Sequence, residues 1–556
     1  MEGAPMDLAT RRGMALSALS IVSALSVLIA ACGTSAPSSG TSSTPPGDQP
    51  RRGGTYTVGS IADANSMQPL ITTDSGSSTF QGLHYNAYLN SVNPDTLAFE
   101  CKDGACESSQ LSSDGKKLTY KLKPNLVWSD GTPITSADYK FTYDKMMDPK
   151  VDYRARTLTA TAIDSLEAPD PLTLIFNLKD AGFCPALLFT NINPLPKHIF
   201  ENLDINDNPL NQKPTVGSGP WLMKEWVKDS HAVFEANERF RFGRPNFDRY
   251  VIRIVKDQNV EYSMFKAGEL DSISLRAEQW QEAQSLPNVT TYHYYSPTNG
   301  YNYIGINIQN PLVSDLKVRQ AIAMGIDRKA IIDRIRLGFA RPVNSLITPS
   351  SWAFDPTVPA MNFDPSRANQ LLDEAGWRRP ANNPQGTRSK DGRDLKLRIF
   401  YNSGNKDREA IATVAQANLK QLGIELEIVA EEFNAFLVRV QETKDLELYV
   451  LGWTQTLDPN SGRSIWVTGG GQNSTGFANA RVDQLYDQGA KAASCTEAAR
   501  QPYYAEIQRL VAAEQPYVFL YEPESLLGLS SRIVPNPQTK VGISYRIWEW
   551  YSKTGS

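Results

Sequence analysis

Few side chains in this sequence are spaced for enzymatic chemistry. Its 556 residues include four histidines, and none stands in a His-Glu-x-x-His motif or beside the cysteines of a structural zinc site. The Gly-Ser-Gly-Pro run at 217–220 differs from a nucleophile elbow, because proline would block the helix that follows such an elbow. The three glycines at 469–471 lack the Lys-Ser or Lys-Thr pair of a phosphate-binding loop. We therefore expect no enzyme, no metal and no cofactor, although the absence of a motif does not exclude catalysis.

The cysteine nearest the start of the chain indicates export. Residues 1–13 are polar and include two arginines, residues 14–30 are almost wholly apolar, and Cys32 follows two alanines. A basic start, an apolar stretch and small residues before a cysteine are typical of a secretory signal, and the last part resembles the bacterial lipobox. The resemblance implies a signal peptide over 1–31 and lipidation of Cys32. An uncleaved anchor helix and an ordinary signal peptide remain alternatives.

Four further cysteines permit two disulfides in an exported chain. Cys101 and Cys106 frame a short segment that contains a glycine, so a local bridge between them is predicted. Cys184 and Cys495 are the remaining pair and lie far apart in the sequence. Redox catalysis typically uses Cys-x-x-Cys spacing, which neither pair has.

Composition separates a tether from a globular body. The stretch at 33–49 is mostly Ser, Thr, Pro and Gly, so we expect 32–52 to form a disordered tether. The body, from about residue 53 to 556, is too long for one core, and two or three lobes are expected. The chain is 41% hydrophobic and 21% charged, which is ordinary for a soluble protein. A net charge of −4 argues against nucleic acid as a partner.

The body alternates strand-like and helix-like stretches. The predicted strands lie at 118–122, 172–178, 251–255, 302–308, 395–400, 424–429, 446–451 and 517–521. The predicted helices lie at 136–147, 317–326, 328–337, 365–375, 409–421 and 497–513. This mixture predicts an α/β protein with layered sheets.

A series of segments along the body resembles the family 5 extracytoplasmic solute-binding proteins, the dipeptide, oligopeptide and nickel receptors of ABC importers. The segments are GGTYTVG at 53–59, LVWSDGTPITSAD at 126–138, VGSGPW at 216–221, AGELD at 267–271, DLKVRQAI at 315–322, IDR at 326–328, DP at 364–365, LLDEAGW at 371–377 and GW at 452–453. They follow the family's order and span essentially the whole body. Most of them have structural roles, such as the turn at 130–133.

The resemblance implies a two-lobed α/β fold, like that of the type II periplasmic binding proteins, with an extra subdomain in the first lobe. The expected limits are 53–304 and 522–556 for the first lobe, roughly 94–213 for its extra subdomain, and 305–521 for the second lobe. The strands at 301–306 and 517–522 would cross between the lobes. Ligand would sit between the lobes, which close by hinge motion.

The best candidate for the ligand site is the segment that follows the predicted strand at 446–451. It contains Gly452, Trp453 and Thr454 at a strand end, where α/β folds place ligands. Gly452 permits close backbone approach, and Trp453 offers a flat face to a sugar or a peptide plane. A place for Trp453 in the core remains the alternative.

The same segment lacks an acid that the resemblance leads us to expect. In peptide-binding members, an acid three residues after this tryptophan pairs with the ligand's α-ammonium group. Thr456 occupies that position here, and Asp458 lies two residues further on. This difference weakens the peptide interpretation, unless Asp458 or another carboxylate takes the role.

Other candidates lie near predicted strand ends, and for each of them cleft lining and core packing remain alternatives. They are Asn65 and Ser66 after the first strand, Phe80, Tyr301 and Tyr303 near a crossing, Tyr401 and Asn402 at a strand end, and Phe433.

The functional prediction is an extracytoplasmic receptor that binds a small solute and passes it to an ABC importer. An oligopeptide is the first expectation for the ligand and an oligosaccharide the second. The expected partners are the solute, the permease subunits, and a membrane reached through the lipid on Cys32, and we expect a monomer. A secreted hydrolase and a surface lipoprotein that binds other proteins are the alternatives.

Overall fold

The computed structural model describes residues 51–72 and 74–553. The predicted signal peptide, Cys32 and most of the predicted tether lie outside these residues. Within them, the strands in chain order are β1 Thr55–Ser60, β2 Ser91–Val92, β3 Phe99–Glu100, β4 Cys106–Leu111, β5 Lys117–Leu122, β6 Ile163–Asp170, β7 Thr173–Leu178, β8 Trp221–Val227, β9 His231–Ala236, β10 Arg249–Ile254, β11 Ser272–Ser274, β12 Val289–Tyr294, β13 Tyr301–Ile306, β14 Ala340–Pro342, β15 Ser389–Lys390, β16 Arg393–Asp394, β17 Lys396–Asn402, β18 Glu425–Glu431, β19 Leu448–Trp453, β20 Tyr517–Pro523, β21 Ser525–Ser530, β22 Ile533–Val534 and β23 Tyr551–Ser552.

The α-helices of the described residues are α1 Ser75–His84, α2 Ser136–Met147, α3 Arg156–Ala162, α4 Ala186–Phe189, α5 Lys197–Phe200, α6 Gln258–Lys266, α7 Ala277–Ser285, α8 Leu316–Gly325, α9 Arg328–Ile335, α10 Pro365–Glu374, α11 Lys406–Gln421, α12 Phe433–Val438, α13 Arg463–Trp466, α14 Ala480–Ala490 and α15 Glu497–Glu514. Six of them, α2, α8, α9, α10, α11 and α15, lie where helices were predicted, and nine others were not predicted. Side chains just before several helices cap their first backbone amides and so determine where these helices begin. Asp364 accepts a hydrogen bond from the Arg367 amide at the start of α10, where Pro365 has no amide N–H that would need an acceptor.

The first sheet has the strand order β12-β21-β11-β1-β10-β9-β8 among the described residues. β1 runs parallel to β10 and β11, and the other pairs are antiparallel. Its core contains Phe80, Trp221, Phe234 and Trp550, all almost fully buried. Trp550 brings the last part of the described chain back onto this sheet.

The second sheet has the order β14-β20-β13-β19-β17-β18. Alternating side chains of its strands pack on two faces, as the two-residue period of a strand requires. In β13, Ile304 and Ile306 pack into the core beneath α8, α10 and α11, while Tyr301 and Tyr303 pack on the opposite face with α14 and α15. The sheet is therefore covered on both sides.

A smaller antiparallel sheet, β4-β5-β7-β6, lies with α2 inside the range expected for the extra subdomain. Its core includes Tyr120, Trp128 and Phe176, which are fully buried. The structure joins Cys101 to Cys106 at the start of this sheet, and it also joins Cys184 to Cys495.

The strands at 301–306 and 517–522 were predicted to cross between the lobes. The chain passes between the two large sheets next to these strands, which are β13 and β20, and not within them. It leaves the first sheet after Tyr294 and enters the second at Tyr301, and it returns between Pro523 and Ser525. β13 and β20 pair within the second sheet along their whole length. The lobe limits given above stay a prediction.

In the part of the chain that the structure describes, no helix combines the length and the apolar character needed to span a bilayer.

His84, at the end of α1, is fully buried and held as a neutral imidazole. Its Nδ1 accepts a hydrogen bond from the Met223 amide at 3.0 Å, and its Nε2 lies 3.1 Å from the Val216 carbonyl oxygen, to which it donates. Burial lowers the pKa of His84 to about 4, although the hydrogen bond to Val216 acts in the opposite direction. Protonation of Nδ1 would remove the bond from Met223.

Because the pKa of His84 is lowered, we expect the folded protein to lose stability in mild acid. The unfolded chain binds a proton at this histidine below pH 6.5, while the folded chain binds it only near pH 4. Stability from this group is therefore complete above pH 6.5 and is lost as the pH falls from 6.5 towards 4, at about 1.4 kcal/mol per pH unit. We expect His84→Gln to remove this part of the pH dependence in urea unfolding at pH 7, 6 and 5. An unchanged slope would contradict the assignment.

Candidate ligand-binding cleft

Four adjacent chambers share the loop that follows β19. Chamber 1, of about 630 Å³, is lined by Trp453 and Thr454, which also line chamber 2, of about 320 Å³. Thr456 lines three chambers: chamber 2, chamber 3, of about 480 Å³, and chamber 4, of about 340 Å³. The loop predicted as the site thus runs through the middle of one cleft.

Strand directions explain why this loop meets the other lining residues. β17 is parallel to β19, so Asn402 and Trp453 end their strands at the same edge of the second sheet. β13 is antiparallel to β19, so Tyr301 begins its strand at that edge and pairs with Trp453. The opposite wall of chamber 1 comes from the loop after β1 and the first turns of α1, including Asp74 and its neighbours.

Trp453 presents its ring to the cleft. Its Nε1 donates a hydrogen bond to the Tyr517 hydroxyl oxygen at 3.0 Å, so the polar part of the indole is already used. The side chain is partly buried and lines chambers 1 and 2. A ligand therefore meets an apolar flat surface at this position.

Gly300 fixes the backbone beside Trp453. Its φ of 70° is in the left-handed region, and a Cβ there would overlap the carbonyl oxygen of Trp453. We expect Gly300→Ala to destabilise the protein by more than about 1 kcal/mol, because it adds a clash to the unfavourable φ. Since the clash displaces Trp453, ligand affinity should fall as well.

Gly243 provides the matched control, because its φ is 88° but a Cβ would meet no atom within 4 Å. Urea unfolding and ligand titration of Gly300→Ala and Gly243→Ala should show a larger stability loss, and a loss of affinity, only at position 300. Equal effects at both positions would contradict the clash.

Asp458 is not free to bind a ligand. Its carboxylate accepts two hydrogen bonds from the Arg500 guanidinium, at 2.7 and 2.9 Å, and a third from the Asn460 amide. Burial lowers the pKa of Arg500, but the hydrogen bonds and charge of Asp458 outweigh this and leave that pKa above its usual value. Asp458 thus anchors the cleft loop to α15, and the structure does not support it as a substitute for the missing acid.

Arg408 is the main charged group of chamber 1. Its Nη1 donates to the Asn402 side-chain oxygen at 2.6 Å, and among the described residues no carboxylate lies within 4 Å of its guanidinium. Burial lowers the pKa of Arg408 to about 10. The residue sits in the first turn of α11, where the helix dipole is also positive. A desolvated cation at this place favours an anionic ligand group.

The remaining predicted residues divide between the cleft and the core. Tyr301, Asn402, Phe433, Gly452 and Thr454 line chamber 1. The following residues are not among those lining the chambers: Asn65, whose amide donates to Asp74; Ser66, which donates to the Asn211 carbonyl oxygen; Phe80, packed against Trp226 and Phe234; Tyr303, stacked on Tyr517; and Tyr401, buried beneath the second sheet. For these five, packing or local hydrogen bonding is the role that the structure shows.

Several lining residues were missed in the sequence. They include Asp74, Asn302, Arg408 and Gln441 in chamber 1, and Tyr88, Arg241 and Trp548 in chamber 3. The sequence contained a signal for Arg408, because this residue lies shortly after the end of β17 and in the first turn of α11, which Asn405 caps. The others come together only through contacts between distant segments. Among the described residues, no three His, Cys, Asp or Glu side chains are placed to hold a metal ion.

Comparison with protein families matches residues 100–474 to the bacterial extracellular solute-binding proteins, family 5. The chain belongs to this family. Members of the family are extracellular solute-binding receptors rather than enzymes, and the two-lobed α/β architecture of the type II class is the fold of this receptor.

Curated relatives and solved structures agree with the family assignment. The oligopeptide-binding protein AppA of Bacillus subtilis is 29% identical over 554 residues, covering 97% of this chain and 99% of AppA. Protein XP55 of Streptomyces lividans is 26% identical over 485 residues, covering 85% of this chain and 84% of XP55. The structure of B. subtilis AppA in complex with a nonapeptide has a TM-score of 0.84 at 27% identity, covering 91% of this receptor and all of that chain.

Proposed function

We propose that this receptor captures oligopeptides in the cleft around Trp453 and delivers them to an ABC importer. The observation that carries the proposal is Arg408, a desolvated cation without a carboxylate partner among the described residues. A peptide brings a carboxylate at its C-terminus, and guanidinium–carboxylate pairs are among the strongest charge-assisted hydrogen bonds. The similarity to an oligopeptide-binding protein over nearly the whole chain supports the same ligand class.

The rest of chamber 1 suits a peptide main chain. Asn302 lines it with a side-chain amide, which donates and accepts hydrogen bonds as a peptide group does. The amides of Asn299 and Asn405 also line it, but the first bonds to Tyr294, Pro523 and Ser525, and the oxygen of the second caps α11. A volume of about 630 Å³ is in the usual range for a ligand pocket. The ring of Trp453 offers contact to a side chain or a peptide plane.

An oligosaccharide fits the amides and the tryptophan equally well. It carries no carboxylate in its common neutral forms, so it would leave the Arg408 charge uncompensated in the closed cleft. The charge therefore favours the peptide, even though an acid is missing at Thr456. We propose that two lobes close over the ligand. The first lobe comprises residues 53–304 and 522–556, and the second comprises residues 305–521.

Ligand screening tests this proposal. Pro50–Ser556 forms one compact unit and can be purified without the preceding residues. Thermal-shift measurements with peptide libraries of three to nine residues, and with a panel of neutral oligosaccharides, should show stabilisation by peptides only. Mass spectrometry of the recovered ligand should show it unchanged. Stabilisation by sugars alone, or turnover of the peptide, would overturn the proposal and favour the alternatives.

We further propose that the receptor is a monomer tethered to the outer side of the cell membrane through lipid on Cys32, after loss of a signal peptide over 1–31. The support is the small-residue and cysteine pattern in the sequence. The full chain is expressed in cells fed an alkyne-tagged fatty acid. We expect the wild type and Cys184→Ser to become labelled, and Cys32→Ser to remain unlabelled. Labelling of Cys32→Ser would contradict the anchor.

A further inference from the structure

Chamber 3 continues the cleft beyond Thr456 and has a different character. Its walls carry aromatic rings from the chain near the small sheet and from the last part of the described chain, namely Tyr88, Phe99, Tyr545 and Trp548. Tyr88 is 44% exposed, which is unusual for so large a ring and leaves its surface open to a ligand. Two arginines line the chamber with these rings, Arg241 and Arg546, and Arg546 is paired with Asp103.

Arg241 is a second cation that forms no ion pair with the described residues. Its Nη2 donates to the Asn86 side-chain oxygen at 3.0 Å, but within the described residues its Nε and Nη1 have no hydrogen-bond partner and no carboxylate forms an ion pair with it. Burial lowers the pKa of Arg241 to about 10. Its charge is thus desolvated and forms no ion pair, although Asp103 is near enough to favour it, and Arg408 at the other end of the cleft has the same relation to Asp407.

The acids that line the chambers are already engaged. Among the described lining residues these are Asp74 and Asp103. Asp74 accepts hydrogen bonds from the Ser77 amide and the Asn65 side chain. Asp103 pairs with Arg546 at 3.1 Å and accepts from the Tyr545 hydroxyl at 2.9 Å. The lining residues that the structure describes thus offer two guanidinium groups that form no ion pair, and no free carboxylate for a ligand ammonium group.

We propose that chamber 3 is an anion-binding subsite, so that the preferred ligands are peptides with an Asp or Glu side chain near the N-terminal end, whether or not the terminal amine is free. The proposal rests on the proposed peptide function. Thr454 lines chamber 1 and Thr456 lines chamber 3, at most about 7 Å apart along the chain, and an extended pentapeptide spans about 17 Å. We therefore expect a single peptide to place its C-terminal carboxylate at Arg408 and an acidic side chain at Arg241.

Four pentapeptide libraries test the proposal. The second residue is fixed as Glu or as Gln, the amine is free or acetylated, and binding is measured by isothermal titration. We expect the Glu libraries to bind about 10-fold more tightly, as a charge-assisted hydrogen bond implies, and acetylation to change Kd by less than about threefold. Binding that requires a free amine, or ignores the Glu, overturns the subsite and leaves the peptide function intact. Failure of all four libraries contradicts the peptide function itself.

Variants locate the effect. Arg241→Gln should abolish the difference between Glu and Gln libraries while leaving the affinity for the Gln libraries within about threefold. Arg239→Gln is the matched control, since this exposed neighbour lies outside the chambers. Arg241→Lys keeps the charge and should keep part of the preference if the Gln variant unfolds. A preference for Glu that survives in Arg241→Gln overturns the assignment.

A different observation supports a second inference, which concerns the disulfide between Cys184 and Cys495. Cys184 follows β7 of the small sheet, and Cys495 lies between α14 and α15, which pack on the second sheet. Apart from this bond, the described chain connects the first and second sheets only through residues 295–300 and Glu524. The disulfide is therefore a third covalent connection, across the cleft.

Weaker contacts accompany the disulfide. The Cys184 amide donates to the Ala490 carbonyl oxygen at 2.8 Å, and Lys491 pairs with Asp180 at 2.6 Å. The ion pair is half exposed and contributes little by itself. Separation of the two parts at this place is then prevented mainly by the covalent bond.

We infer that the Cys184–Cys495 disulfide acts as a latch that limits how far the cleft opens, and that a dithiol reductant releases it. The disulfide takes up two electrons and two protons to give two thiols, and the dithiol is oxidised to its own disulfide. The cleft then opens less widely in the oxidised receptor than in the reduced one.

Small-angle X-ray scattering of the ligand-free receptor tests the latch without a known ligand. The double variant Cys184→Ser/Cys495→Ser should show a larger radius of gyration than the wild type, and wild type treated with dithiothreitol should match it. The local pair supplies the control, since Cys101→Ser/Cys106→Ser should leave the radius unchanged. An unchanged radius in Cys184→Ser/Cys495→Ser overturns the inference.

Discussion

Arg408→Gln is expected to weaken peptide binding by about 100-fold. The Arg408 guanidinium lies partly buried in chamber 1, with a pKa lowered to about 10 by burial and with Asn402 as its side-chain partner. Loss of one member of a desolvated charge pair costs about 2–5 kcal/mol of binding free energy, and each 1.4 kcal/mol is about tenfold in Kd. Glutamine keeps a donor for Asn402 but removes the charge that a ligand carboxylate requires.

Paired changes in receptor and ligand give the sharpest measurement. Amidation of the peptide C-terminus should reduce wild-type affinity by a similar factor, and it should have little further effect on Arg408→Gln. Lys420→Gln, at the exposed far end of α11, is the control for a change of net charge. Additive losses from amidation and Arg408→Gln would show that the carboxylate binds elsewhere.

Asp458→Asn is expected to lower the free energy of unfolding by about 3 kcal/mol or more. The side chains of Asp458 and Arg500 are only 13% and 6% exposed, and two hydrogen bonds join them. Removal of one partner leaves the other charge buried and unpaired, which is strongly destabilising. Because the pair ties the cleft loop to α15, the change should also increase the mobility of Thr456 and its neighbours.

Urea unfolding with a matched surface pair tests this prediction. Arg463 and Asp487 also form a close ion pair, but the Asp487 side chain is 51% exposed, so Asp487→Asn should cost less than about 1 kcal/mol. Arg500→Gln should destabilise as much as Asp458→Asn, and the double variant less than the sum of both. If Asp458→Asn abolished ligand binding without loss of stability, Asp458 would be a ligand-binding residue after all.

The sequence by itself determined the family, the α/β class and the positions of the longer helices and several central strands. These features depend on local patterns. The predicted α2 at 136–147 has the observed bounds, and α10 starts at the predicted Pro365 after its Asp364 cap. The strand at 446–451 with its terminal Gly452 and Trp453 also follows from apolar patterning and family order. Such signals are short-range, because caps, turns and strand alternation are set by neighbouring residues.

Only the tertiary structure decided which side chains face the ligand. Tyr301 and Tyr303 stand two apart in one strand and look alike in the sequence, yet Tyr301 lines chamber 1 while Tyr303 stacks on Tyr517. Asp458 looked available until Arg500, 42 residues away, was found paired with it.

The same holds for the charges of the cleft. Arg408 and Arg241 form no ion pair with a carboxylate among the described residues, and that depends on the positions of the acids in the folded chain. Partners of this kind are brought together by strand order and sheet packing across hundreds of residues. Local sequence therefore located the loop around Trp453, whereas the tertiary structure determined the charges that surround it.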